Sequence, residues 1–170
     1  SHVAWGGPRI GVFYAEKGAS QRPSKIVYDR AGSSFATCSP DDFDWDAIME
    51  GASNFHMTGI TPALSKTMPE VCLKALEAAK AHGLTVSCDL NYRKNLWTTQ
   101  EAKECMTRFM PYIDLLIANE EDADKVLGIK AKNSDVTKGQ LDTEGYVDVA
   151  RQICETYGTK QVAITLRKSI

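Results

Sequence analysis

Thr67-Met68-Pro69-Glu70-Val71-Cys72-Leu73-Lys74-Ala75-Leu76-Glu77-Ala78-Ala79-Lys80-Ala81-His82-Gly83-Leu84-Thr85-Val86-Ser87-Cys88 decides the fold. Thr67 and Glu70 have the spacing of a capping box, in which the Thr oxygen accepts an N–H three residues on and the Glu reaches back. Behind them Met68, Cys72, Ala75, Leu76 and Ala79 recur at helical spacing on one face. Gly83, after His82, supplies the left-handed position that stops a helix. Leu84 to Cys88 is then a short apolar run of strand type. A helix that turns directly into a strand is half of a βαβ unit.

The same alternation extends in both directions. Upstream, Asn54-Phe55-His56-Met57-Thr58-Gly59-Ile60 reads as a strand ending at Gly59, with His56 as a core histidine satisfied inside it. Ser39-Pro40-Asp41-Asp42 carries an N-cap, a Pro at the first helical position and acids in the first turn. Downstream, Thr98-Thr99-Gln100-Glu101 opens a second boxed helix, and Tyr112 to Ala118 reads as a strand buried on both faces. A short helix follows from Asn119, a polar loop from Lys130 to Gln140, a helix over 143–157 and a last strand from Gln161 to Leu166. Strand, helix, strand in this order requires right-handed crossovers and a parallel sheet with helices on its faces. The first thirty residues differ. Arg9 to Glu16 and Ser24 to Arg30 are β-branched and aromatic runs around a polar turn, which predicts an antiparallel pair needing something to lie on.

Composition narrows the function. The 170 residues carry 20 Lys+Arg against 22 Asp+Glu, a net charge of −2, with 43% hydrophobic and 25% charged residues. Those are soluble-globular values with no basic block, which argues against a dedicated nucleic-acid binder. No apolar run approaches the ~18–20 residues that span a bilayer. The opening Ser1-His2-Val3-Ala4-Trp5-Gly6-Gly7 has neither a basic nor an apolar signal region and no starting Met, so we expect a cytoplasmic protein represented by a processed or truncated chain. Cys38, Cys72, Cys88, Cys105 and Cys154 are odd in number with no CxxC, which predicts reduced, mostly buried thiols rather than a disulfide frame or zinc site.

In open α/β sheets ligands sit at the carboxyl ends of the strands, so chemistry is sought at 59–65, 89–97, 119–122 and 165–168. Asp89-Leu90-Asn91-Tyr92-Arg93-Lys94-Asn95-Leu96-Trp97 is the densest group. Arg93 offers a planar fork for a phosphate or carboxylate, Asn91 donates and accepts beside it, and Trp97 seats the loop. A solvated loop with an Asp89–Arg93 surface pair fits the same residues equally well. Asn119-Glu120-Glu121-Asp122 supplies either carboxylates for a hydrated Mg2+ or plain N-capping acids, and the residues alone favour capping. Tyr28 and Arg30 share one strand face, suited to a polyhydroxy acid or simply to solubility. His82 at a helix end requires no function, and neither a Walker A sequence nor GxGxxG is present.

Together these segments resemble the ribokinase-like (PfkB) sugar kinases, in particular their 2-keto-3-deoxygluconate kinase branch. The resemblance rests on Gly11 to Ala19, Lys25 to Ser33, Phe55 to Leu64, Asp89 to Trp97, Ile117 to Asp122 and Val162 to Arg167, with order and spacing kept across nearly the whole chain. It implies a three-layer α/β/α sandwich with a mostly parallel sheet and a small β-lid. The lid strands would occupy 9–33 and a partial kinase core 39–170, incomplete at both ends. It further implies transfer of the ATP γ-phosphoryl group to the 6-hydroxyl of 2-keto-3-deoxygluconate, with ATP and Mg2+ as cofactors and pairing of subunits through the lid.

Carried over residue by residue, the resemblance assigns Phe13, Tyr28, Arg30 and Arg93 to the sugar acid. Asn91, Arg93, Asn119, Thr165 and Arg167 go to ATP and its phosphates, and Asp122 to the metal, through water. The chain departs from the family in three places. Phe13 stands where Tyr is usual, beside Tyr14, and Asp122 stands where Glu is usual. The Gly-Ala-Gly-Asp loop that carries the catalytic base is absent, as is the N-terminal Gly-Gly substrate segment. The segment alone is therefore expected to be inactive. A kinase for fructose or ribose, and a non-catalytic sugar-acid or nucleotide-binding module, are the competing readings.

Overall fold

A parallel sheet whose strands are added in chain order places all its crossovers on one side, and that rule shapes this molecule. The computed structural model describes residues 2–131 and 143–165. Asn54–Thr58 (β3), Thr85–Asp89 (β4), Leu115–Ala118 (β5) and Gln161–Ile164 (β6) form a four-stranded parallel sheet in the order β3-β4-β5-β6. Val12–Glu16 (β1) and Lys25–Asp29 (β2) form a separate antiparallel pair, with Phe13 opposite Tyr28 and Tyr14 opposite Val27. The helices are Trp45–Met49 (α1), Met68–Ala81 (α2), Thr99–Phe109 (α3), Glu120–Asp122 (α4), which runs into a π-helical turn over Ala123–Leu127, and Thr143–Tyr157 (α5).

Right-handed crossovers that always step the same way put their helices on one face. Phe55 and Met57, Val86 and Cys88, Leu116 and Ala118, and Val162 and Ile164 align across the strands on that face. They pack with Leu76, Met106, Phe109 and Ile153, all fully buried, into one core cluster. The alternate residues His56, Thr58, Ser87, Asp89, Leu115 and Ile117 lie on the opposite face, and none of them is buried.

This one-sided cover corrects two expectations. His56 is exposed, not a core histidine; its ring Nδ1 hydrogen-bonds Ser87 Oγ at 2.8 Å across the uncovered face. The strand read over 112–118 begins only at Leu115, after a 3-10 turn Met110–Tyr112, and alternates half-buried with buried residues instead of hiding both faces.

Thr98 and Glu101 form the predicted box. Thr67 does not: its backbone is already helical (φ −86°, ψ −27°), so its hydroxyl turns to Ser65 while Glu70 pairs with Arg108 at 2.8 Å. Ser39 caps as expected, and Gly83 takes the left-handed φ of 72°. His82, which needed no role, meets Asp46 at 2.8 Å. Most of the polar loop read over 130–140 and the end of the last strand, Leu166, lie outside the described residues.

At the amino-terminal edge of the sheet sits an ionic staple. Asp114 is 8% exposed and receives Lys80 Nζ at 2.6 Å, Lys160 Nζ at 2.9 Å and the Val86 N–H at 2.9 Å, tying α2, β4 and the entry to β6 together. Burial alone raises a carboxyl pKa; here the hydrogen bonds from Lys80, Val86 and Lys160 outweigh it and hold Asp114 well below the usual carboxylate range. All five cysteines are free thiols, three of them buried. Burial pushes the thiol of Cys72 up to about 12 and that of Cys105 up to about 11, so neither is a ready nucleophile.

Candidate functional site

The carboxyl ends of β4 and β5 and the residue just past β6 converge on a cleft of about 530 Å³. Asn91, Arg93, Asn119, Asp122 and Thr165 all line it. These five positions were singled out in the sequence, and the fold brings them to one place. Arg167, assigned with them, lies outside the described residues.

Local chemistry explains how each is held. Asp89 ends β4 and accepts the Asn91 N–H on Oδ1 at 3.1 Å, closing a turn whose Asn91 backbone is left-handed at φ 40°. Short polar side chains tolerate that region because they bond their own backbone. Trp97 is buried behind the loop, as read, and its carbonyl accepts from Tyr92 Oη at 3.3 Å. The Asp89–Arg93 surface pair does not form among the described residues; Arg93 is exposed and its guanidinium makes one hydrogen bond, to the Tyr92 carbonyl at 3.4 Å. Its fork is left facing solvent at the cleft.

Across from it, Asn119 caps α4. Its Oδ1 accepts the Asp122 N–H at 2.8 Å and its Nδ2 donates to Asp122 Oδ2 at 3.1 Å. Asp122 is thus a 9%-exposed carboxylate with one oxygen tied to the capping amide. Thr165 is fixed by its N–H to the Ala118 carbonyl at 2.8 Å, continuing the β5–β6 ladder by one rung. Sequence reasoning missed Lys125, which lines the cleft from the π-helical turn and pairs with Glu121. The Glu121-to-Lys125 spacing of four was the available signal. Among the described residues no group of three or more His, Cys, Asp or Glu is gathered tightly enough to hold a metal by protein ligands alone. Mg2+ keeps several waters and takes only one or two carboxylates beside phosphate oxygens, so Glu121 and Asp122 match the share a protein normally provides.

Phe13, Tyr28 and Arg30 do not join this cleft. They form a second group on the strand pair. The Phe13 and Tyr28 rings sit 6.2 Å apart, and the Arg30 guanidinium carbon lies 4.6 Å over the Tyr28 ring. That cation–π contact places the guanidinium over the ring, and its N–H donors can still bind a carboxylate. Arg9 braces the group, its Nη2 reaching Asp29 Oδ1 at 2.6 Å and the Ala31 carbonyl at 2.8 Å.

The likeness to known proteins extends over nearly the whole chain. The model of the pfkB family of carbohydrate kinases matches residues 3–168. A 2-dehydro-3-deoxygalactonokinase of Haloferax volcanii is 40% identical over 119 residues, 70% of this chain and 37% of that protein. A 2-dehydro-3-deoxygluconokinase of Thermoproteus tenax is 31% identical over 109 residues, 63% of this chain and 32% of that one. The crystal structure of the Thermotoga maritima 2-dehydro-3-deoxygluconokinase superposes with a TM-score of 0.86 at 51% identity, covering 97% of this chain and 48% of that one. The chain therefore spans less than half the length of each.

Proposed function

The chain belongs to the pfkB family of carbohydrate kinases, and on that premise we propose that it supplies the acid-sugar lid and the phosphate cleft of a 2-keto-3-deoxygluconate kinase. The observation that carries the reading is the convergence of Asn91, Arg93, Asn119, Asp122 and Thr165 on one cleft from three strand ends. Residues 9–33 act as the lid and 39–170 as part of the kinase core. The protein works in the cytoplasm.

Phosphoryl transfer asks a protein chiefly for positioning and for neutralising charge on the transferred group. In this reading Arg93 and Lys125 face the phosphates, Asn91 stands between phosphate and sugar, and Asn119, Thr165 and Arg167 orient the nucleotide. Asp122, with Glu121 beside it, would hold Mg2+, and the ion would supply charge neutralisation at the phosphate oxygens. Arg30, held over the Tyr28 ring, takes the sugar carboxylate, while Phe13 and Tyr28 cover its C–H faces. Closing the lid excludes water that competes with the sugar hydroxyl as acceptor. The general base is contributed by a Gly-Ala-Gly-Asp segment, which these 170 residues do not contain.

Tyr14 and Val27, on the strand-pair face opposite Phe13 and Tyr28, are 62% and 47% exposed and pair with a second subunit. The name of the Haloferax relative favours one variant of this reading, the C4-epimeric 2-keto-3-deoxygalactonate as a second substrate.

Calorimetric titration tests the proposal. The 170-residue chain is expected to bind ATP with Mg2+ and to prefer 2-keto-3-deoxygluconate over fructose and ribose, without turnover. Kinase-like turnover by the chain alone would remove the assignment of the base, and equal affinity for neutral sugars would remove the role of Arg30.

A further inference from the structure

The loop that carries Asn91 and Arg93 turns on a left-handed Asn91, φ 40°, a conformation uncommon outside glycine that Asn tolerates and that several contacts hold here. One hold is local, the Asn91 N–H to Asp89 Oδ1. The others come from the end of β3. Asn91 Nδ2 donates to Thr58 Oγ1 at 3.3 Å, and the Gly59 N–H donates to the Asp89 carbonyl at 2.8 Å. The approach at Gly59 is so close that a Cβ there would lie 2.1 Å from the Leu90 carbonyl oxygen. That neighbour is backbone and cannot rotate away. Neither Thr58 nor Gly59 lines the cleft.

We propose that Thr58 and Gly59 are positioning residues for the phosphate cleft: together they clamp the 89–93 turn so that Asn91 and Arg93 meet the phosphates in one fixed arrangement. Thr58 supplies the acceptor that fixes the Asn91 amide. Gly59 supplies the vacant Cβ position that lets β3 and the turn touch backbone to backbone. The Thr58 hydroxyl also accepts the Ile60 N–H at 3.4 Å, so the same oxygen anchors both loops that leave β3 and β4. Side chains at a binding site keep a productive geometry only when a supporting layer locks them.

The inference rests on the reading of the cleft as a phosphate site, and the test separates the two. ATP with Mg2+ is titrated into the wild-type chain and into Thr58→Val, Thr58→Ser and Gly59→Ala, with melting temperature and amide exchange recorded for each. Thr58→Val, which keeps shape and loses the acceptor, is expected to weaken ATP binding about fivefold, the worth of one lost hydrogen bond. Exchange at Leu90 and Asn91 speeds up while the melting temperature barely moves. Thr58→Ser restores both. Gly59→Ala, if folded, weakens binding further and shifts the resonances of 89–93. Wild-type affinity in Thr58→Val, or Thr58→Ser as weak as Val, overturns the proposal. A wild-type chain that does not bind ATP removes the phosphate reading instead; faster exchange in Thr58→Val then still upholds the clamp, and unchanged exchange overturns it.

Discussion

The strand pair and the parallel sheet are built from similar residues and have opposite fates. All ten residues of β1 and β2 are exposed, aromatic and aliphatic ones included. In the sheet, one face of every strand packs into a single cluster with α1, α2, α3 and α5. Phe13 at 63% exposure and Phe109 at 0% are the same residue type under these two regimes. The sheet earns its stability from its own helices. The strand pair holds its shape by ladder hydrogen bonds and side-chain braces, and its apolar faces gain only when something covers them.

Substitutions can break this contrast, and the largest effect is expected in the core. Phe109→Ala should cost about 3–5 kcal/mol, whereas Phe13→Ala should stay within about 0.5 kcal/mol. Urea denaturation of both variants reads the difference, and comparable losses would mean the strand pair is structurally coupled to the core. Asp114→Asn comes next, at about 2–3 kcal/mol, because it leaves Lys80 and Lys160 without the carboxylate they share.

Its signature is in pH. The folded-state pKa of Asp114 lies below the unfolded value of about 3.9, so its contribution is fully present above that value and is lost as pH falls toward the folded one. Wild type should therefore lose stability on acidification more steeply than Asp114→Asn, in denaturation curves taken between pH 5 and pH 2, with the divergence below about pH 4.

Arg30→Ala tests the strand pair from the ligand side. Affinity for the sugar acid should fall about tenfold, the worth of one charge-assisted hydrogen bond, with ATP affinity unchanged. Equal losses for both ligands would show that Arg30 shapes the whole fold rather than one contact. The smallest effect is expected for Glu16→Gln, which opens the exposed Arg22–Glu16 pair and should cost less than about 0.5 kcal/mol by the same denaturation assay.

What the sequence disclosed and what it withheld divide along one line. Features set by neighbours in the chain were legible: the Thr98–Glu101 box, the Gly83 stop and the antiparallel pair around the 17–23 turn. Features set by strand order were not. His56 sits between Phe55 and Met57 and looks internal, yet alternation in a sheet covered on one side sends it outward. The cleft was half legible. Its residues are polar clusters directly after strands, which a general rule of α/β sheets makes visible. Lys125 was hidden because its place depends on a π-helical turn, and the clamp at Thr58 and Gly59 was hidden because it is a contact between two loops distant in sequence. The Thr67–Glu70 pattern misled, since Ser65 and Arg108 offered both side chains other partners.

The strand order also governs the way the molecule assembles in time. Each described strand of both sheets pairs with the one before or after it in the chain, so space and sequence follow the same order among them. Loop-closure entropy grows only slowly with length, but each parallel pairing spans a whole crossover and is a long-range contact. These steps are therefore slower than the local contacts of a helical bundle. As the chain is synthesised, β4 can settle on β3 once α2 has emerged, then β5 on β4, each step burying its helix before the next strand appears. Among the described strands, the order of addition in space thus repeats the order of synthesis.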